Sequence, residues 1–118
     1  MELQTEQLAD GINKLALAGR MDGPGVQEID LRFTALTAAQ KALIVVDLSL
    51  VSFLASIGIR TLVISAKALR RRGGHMALLS PQPQVADVLR TAGIESVIPT
   101  YHDLEMAVGA LKSSAAST

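Results

Sequence analysis

A chain of 118 residues is long enough for one domain that buries about 65% of its unfolded surface. Hydrophobic residues make up 49% of it and aromatics only 3%, with no tryptophan, so its core must be built from Leu, Ile, Val and Ala. Basic and acidic residues balance at 11 each, which leaves no overall field for nucleic acid or an anionic membrane, and the lack of cysteine excludes disulfides, thiolate catalysis and cysteine metal sites.

No apolar run reaches the ~18 residues of a membrane span, and no basic-then-apolar leader opens the chain. The expected location is cytoplasmic. No internal repeat is present, and the low-complexity end Ser113 to Thr118 reads as a frayed, disordered tail. That leaves residues 1–112 as a single domain.

In chain order, residues 3–8 give a weak strand, with Leu3 and Leu8 separated by polar residues, and Asp10-Gly11 marks a turn. Ile12 to Ala18 reads as a better strand, in which Leu15 and Leu17 alternate with Lys14 and Ala16. A loop from Gly19 to Pro24 then announces a helix, since proline suits the first helical position and Asp22 or Gly23 can cap it. From Pro24 to about Ala39, Val26, Ile29, Phe33 and Leu36 hold one apolar stripe at helical spacing.

Leu43-Ile44-Val45-Val46 is too continuously apolar for a strand with one wet face, so Ala42 to Leu48 reads as a central strand covered on both sides. Asp47 and Ser49 close it, and Leu50 to Leu54 follows as a short apolar loop. Ser56 is expected to cap the next helix, whose buried stripe is Ile59, Leu62, Val63, Ala66 and Leu69. Arg70, Arg71 and Arg72 suit the negative end of that helix, and Gly73-Gly74 allows the exit. His75 to Ser80 is a strand, Pro81 and Pro83 introduce a helix stopped by Gly93, Ser96 to Ile98 is a brief strand, and Asp103 to about Leu111 is the last helix. The order ββαβαβαβα defines an α/β fold, with parallel crossovers and room for an antiparallel pair at the start.

Enzyme motifs are weak. His75 and His102 have no partners at triad or ligand spacing, Gly23-Pro24-Gly25 is too short and rigid to cradle a phosphate, and no Walker lysine is present. Asp22 and Asp47 read as a cap and a strand end. The arginine run reads as a solvated helix terminus. No catalytic residue, metal site or cofactor is therefore expected.

Ser56 reads differently. Its neighbours Leu50, Val51, Phe53, Leu54 and Ile57 are more apolar than a loop requires, and an apolar rim marks a partner surface. A phosphate at a helix N-terminus is tolerated by the fold, because amide N–H groups and the dipole favour negative charge there. In an apolar interface the same group brings about −2 charge. Such a site changes what binds without unfolding the protein.

The pattern of an aliphatic strand, Asp47-Leu48-Ser49, and then Phe53-Leu54-Ala55-Ser56-Ile57-Gly58-Ile59-Arg60 resembles the STAS domain of bacterial anti-sigma factor antagonists. Gly19-Arg20-Met21-Asp22 is similar to that family's Gly-x-Leu-Asp, Gly73 to Leu79 to its Gly-Gly turn into a strand, and Val85 to Ile94 to its next helix and exit. The resemblance covers nearly the whole chain and implies a small mixed β-sheet with about four α-helices. In the family, the first serine of an Asp-Ser-Ser/Thr-Gly motif is phosphorylated by an anti-sigma factor that is also a serine kinase. The unphosphorylated form binds the kinase and frees the sigma factor, and a metal-dependent phosphatase resets the cycle.

Ser56 falls on that serine, Gly58 on the glycine and Asp22 on an aspartate of the same surface. Ala55 stands where the family usually has Asp, and Ile57 where it often has a second hydroxyl. Arg60, four residues on, is placed to contact a phosphate or to be an ordinary surface arginine.

The leading expectation is a non-enzymatic regulatory module that is phosphorylated at Ser56. Its partner surface is expected to comprise Asp22, Leu50, Val51, Phe53, Leu54, Ala55, Ser56, Ile57, Gly58 and Arg60. Its partners would be the anti-sigma factor kinase and a phosphatase, with weak homodimerisation allowed and neither nucleic acid nor membrane insertion involved. Two alternatives remain open. One is a constitutive STAS scaffold in a larger complex such as a transporter assembly, which Ala55 and Ile57 favour. The other is a small phosphate-handling enzyme, supported only by the helix N-terminus.

Overall fold

A computed structural model describes residues 1–116, and in it the ββαβαβαβα order is realised in full. The elements are β1 (Glu2–Gln7), β2 (Ile12–Met21), α1 (Gly23–Leu36), β3 (Leu43–Leu54), α2 (Ser56–Arg71), β4 (His75–Leu79), α3 (Pro83–Thr91), β5 (Thr100–Tyr101) and α4 (Leu104–Ala116). The strands form one sheet in the order β1-β2-β3-β4-β5. β1 runs antiparallel to β2, and every later neighbour is parallel.

A sheet wound in sequence order by crossovers of one hand keeps its connecting helices on one face. Accordingly α1, α2 and α3 pack together there, and Phe33, Leu62, Leu69 and Leu89 cover Leu15, Ile44, Val46, Leu48 and Leu78. After β5, α4 closes the opposite face, setting Ala107 and Leu111 against Ile12, Val45, Ala77 and Leu79. Leu43 to Val46 is thus enclosed on both sides, as its unbroken apolar run requires.

The largest departure from the sequence reading is in β3. Leu50 to Leu54 is not a loop: the strand continues to Leu54, paired with β2 all the way. The register slips twice, Asp47 facing Ala16 but Leu50 facing Ala18, then Val51 facing Gly19 but Phe53 facing Arg20. Each slip puts one extra residue into β3, a β-bulge. Inward positions are therefore Ile44, Val46, Leu48, Val51 and Leu54, a spacing that changes from two to three. That change hides a long strand behind what reads as an interruption. At the first bulge Asp47 Oδ1 accepts the Ser49 amide N–H at 2.9 Å, so the aspartate fixes the irregularity rather than ending the strand.

β2 likewise runs past Ala18 to Met21, where a loop was expected. α1 stops at Leu36 rather than Ala39, and the buried Thr37 turns its hydroxyl back onto the Phe33 carbonyl at 2.9 Å. Ser96 to Ile98 is not a strand. The Val97 and Ile98 amides bond back to the Ile94 carbonyl in a short 3-10 turn, and the last strand forms just beyond Pro99. Ser113 to Ala116, expected as frayed tail, continue α4 as helix, while Ser117 and Thr118 lie outside the described residues. Among the described residues no helix is long and apolar enough to cross a membrane.

Candidate functional site

Two helix N-termini meet at the far end of the β2–β3 pair, and glycine makes both approaches possible. Asp22 caps α1 and Ala55 caps α2, so Gly25 and Gly58 occupy the same third position of each helix. A Cβ on Gly25 would lie 1.9 Å from the Arg20 carbonyl oxygen. One on Gly58 would lie 2.7 Å from Leu54 Cδ1 and 2.8 Å from both Met21 Cγ and the Met21 carbonyl oxygen. The first turns thus rest directly on the backbone that ends β2. The Ala55 amide donates to that Met21 carbonyl at 3.1 Å, while the Ala55 carbonyl accepts from the Gly58 and Ile59 amides, so the chain passes from sheet to helix within one residue.

Ser56 is therefore the first residue of α2 and not its cap, a correction to the sequence reading. Ala55 has no side-chain oxygen to offer, and the cap makes no side-chain hydrogen bond. The early amides of α2 are of the kind left without intrahelical acceptors, and Ser56 is exposed beside them.

The rim divides by the bulges. Leu50, Phe53 and Ile57 face outward with 66, 39 and 40% of their surfaces exposed. Val51 and Leu54 do not belong to it: both are buried in the main core, because the altered spacing turns them inward. Gly58 is buried under the helix start, Ala55 is half-buried, and Arg60 is exposed one turn beyond Ser56. The structure thus leaves Asp22, Leu50, Phe53, Ala55, Ser56, Ile57 and Arg60 wholly or partly at the surface and buries Val51, Leu54 and Gly58.

Asp22 sits in a polar arrangement on the same edge. Its Oδ1 accepts the Gly25 amide N–H at 2.9 Å, and its Oδ2 accepts from Arg20 Nε at 3.3 Å. The Gly25 N–H chiefly holds the carboxyl below the ordinary carboxylate range; partial burial opposes this and the Arg20 hydrogen bond adds to it. The Arg20 guanidinium also lies over the Phe53 ring, 4.2 Å from its centroid. Arg20 faces Phe53 directly in the β2–β3 register, so cross-strand pairing places the cation on the ring.

Sequence reasoning passed over Arg20, although its signal was available: as the variable residue of Gly-x-Leu-Asp, two before Asp22, it shares a strand face with the cap. It also passed over Gln82 and Gln84. β4 pairs β3 only as far as Asp47, so the outer part of β3 has one edge without a strand. Gln82 Nε2 donates to the Ser49 carbonyl at 2.9 Å, and Gln84 Nε2 to the Ser52 carbonyl at 3.5 Å and to Gln82 Oε1 at 2.8 Å. These amides occupy the carbonyls a strand would have taken, and no local pattern announces such a contact 33 residues away. Among the described residues no group of three or more His, Cys, Asp or Glu is placed to hold a metal ion.

The family model described as the STAS domain matches residues 5–107. The chain belongs to the STAS domain family. BtrV of Bordetella bronchiseptica, named as an anti-sigma factor antagonist, is 25% identical over 114 residues that cover 97% of each chain. A STAS domain protein from Planctomyces limnophilus, named as an anti-sigma-factor antagonist, has a similar solved structure. Its TM-score is 0.80 at 26% identity, over 93% of this chain and 97% of that one. The anti-sigma factor antagonist SpoIIAA, solved in its unphosphorylated form, shares the fold with a TM-score of 0.75 at 21% identity, over 95% of this chain and 97% of that one. Within that family the chain is similar to proteins named as anti-sigma factor antagonists.

Proposed function

We propose that this chain is a partner-switching anti-sigma factor antagonist, bound by an anti-sigma factor serine kinase while Ser56 is free and released when Ser56 is phosphorylated. The observation that carries the reading is an exposed Ser56 on the first turn of α2, flanked in the chain by the exposed Leu50, Phe53 and Ile57. A partner covering those side chains gains about 25 cal/mol for each Å² of apolar surface removed from water. A phosphate at the centre of the contact costs a few kcal/mol through desolvation and misplaced charge. In the isolated protein the same group meets the amide ends of α2, so it leaves the fold intact.

In this reading Asp22, with Arg20 on one side, supplies the polar edge of the docking face, and the chain catalyses nothing itself. It is the substrate of its partner kinase and of a phosphatase, all three in the cytoplasm. The second reading, a constitutive scaffold, draws on Ala55 and Ile57, which replace the polar neighbours of the family serine. Incubation with the cognate kinase and ATP, followed by intact-mass measurement, separates the two. The proposal expects one phosphate on the wild type and none on Ser56→Ala. An unmodified wild type that still binds the kinase overturns the switch and favours the scaffold.

A further inference from the structure

The 11 basic and 11 acidic residues cancel over the whole chain, but they are not evenly spread. Within α2, Ser56–Arg71, stand Arg60, Lys67, Arg70 and Arg71 and no Asp or Glu at all. Arg60, Lys67 and Arg71 are exposed and fall at helical spacing with the exposed Ile57 and Ile64, the latter 53% accessible. Together they form one outward stripe, about 21 Å long at the helical rise, which starts beside Ser56 and ends at the arginine run. Among the described residues the ion pairs engage the N-terminus, Lys14, Arg20, Arg90 and Lys112, and none engages this stripe. The helix dipole accounts for Arg70 and Arg71 in the last turn. It does not account for Arg60 near the opposite, positive end, nor for an isoleucine held in water between cations.

We propose that the partner docked at Leu50, Phe53 and Ile57 extends along this stripe and presents an acidic surface to Arg60, Lys67 and Arg71. The inference rests on the docking reading given above and adds the chemistry of the partner. A protein surface fits better than the other anionic candidates. Interfacial helices bury a broad face of large apolar groups in lipid, and here only two isoleucines are offered. Single-stranded nucleic acid needs aromatic platforms for its bases, and α2 has none. Unpaired cations beside an apolar anchor are the arrangement that steers an oppositely charged protein, raising its association rate more than its lifetime on the site.

The test measures association and dissociation rates of the purified cognate anti-sigma factor kinase with three proteins: the wild type, Lys67→Glu/Arg71→Glu, and Phe53→Asp. Measurements at about 20 mM and about 500 mM salt span long and short screening lengths. Thermal melts establish that each variant is folded. The double charge reversal is expected to lower the association rate at least about tenfold at low salt, change the dissociation rate less than about threefold, and lose most of the salt dependence seen in the wild type. Equal association rates for the charge variant and the wild type, or a wild-type rate indifferent to salt, overturn the acidic-partner inference. Phe53→Asp reports separately on the docking face: unimpaired binding by that variant overturns the docking reading itself, and no binding by the wild type overturns both. Cosedimentation of the wild type with phosphatidylserine vesicles, lost in the charge variant, would reassign the stripe to lipid and likewise overturn the inference.

Discussion

Ser56 holds its position through neighbours that do not touch its hydroxyl: the Ala55 amide bonds to Met21, and Gly58 lets the helix rest on that strand end. Because the serine is not a cap, replacing it removes no capping bond. Ser56→Asp places a negative charge at the favourable end of α2, so its melting temperature is expected within about 2 °C of the wild type. Kinase binding should nevertheless weaken by about a hundredfold, as a few kcal/mol of misplaced charge requires. Paired melting curves and binding titrations check both halves.

Asp22 gives a pH-dependent counterpart. Its folded carboxyl titrates below the unfolded value, chiefly because it accepts the Gly25 N–H. Its contribution is therefore fully present above about pH 4, the ordinary carboxylate value, and is lost as pH falls through the lower folded value. Asp22→Asn keeps an acceptor for the Gly25 amide but carries no charge. Its stability deficit relative to the wild type should accordingly shrink toward zero in acid, which melts taken down the pH scale would follow. Arg20→Ala should move the Asp22 carboxyl part of the way back toward its ordinary value, since the larger cause remains; carboxyl resonances followed through a pH titration measure this.

At the scale of elements, β3 decides which side chains face outward. Its two bulges rotate Val51 and Leu54 inward and leave Leu50 and Phe53 outside. One face of the strand therefore serves the core, and the other carries the docking surface proposed above. Gly58 fixes how closely α2 approaches this strand. Gly58→Ala forces a methyl against the Met21 carbonyl at 2.8 Å, and backbone cannot swing aside as a side-chain end can. A loss of about 1–3 kcal/mol is expected in denaturant unfolding. Gly109→Ala is the control from open space, since nothing lies within 4 Å of an added Cβ in α4, and it should stabilise by about 0.5–1 kcal/mol.

Each of the four α-helices among the described residues was legible in the sequence because periodicity and proline or glycine punctuation agreed; only end points moved, as at Leu36 and Ala116. β3 was half legible. Alternation is the signal for a strand, and a bulge shifts the alternation without ending the pairing, so Asp47-Leu48-Ser49 imitated a terminus. The same shift explains why Val51 and Leu54 read as rim residues. Ser96 to Ile98 misled in another way: its apolar character is real, but Pro99 cannot donate to a ladder, and the amides before it found a closer acceptor in Ile94.

For the whole molecule, the layers separate the buried core from the surface proposed for recognition. α1, α2 and α3 bury the main core on one face and α4 seals the other, while Ser56 and its exposed apolar neighbours lie at the end where β2 and β3 run out. A charge added there meets solvent and helix amides in the free protein, and an apolar contact only in a complex. The topology followed from the order of elements, and the family from the residues around Ser56. What the sequence withheld was long-range: Arg20 over Phe53, and Gln82 and Gln84 holding an unpaired strand edge.

The switch itself is tested most directly by titrating the cognate anti-sigma factor kinase with the unmodified protein and with the same protein stoichiometrically phosphorylated at Ser56. Both forms should melt alike, and the phosphorylated form should bind about a hundredfold more weakly or worse. Equal affinity of the two forms would contradict the account.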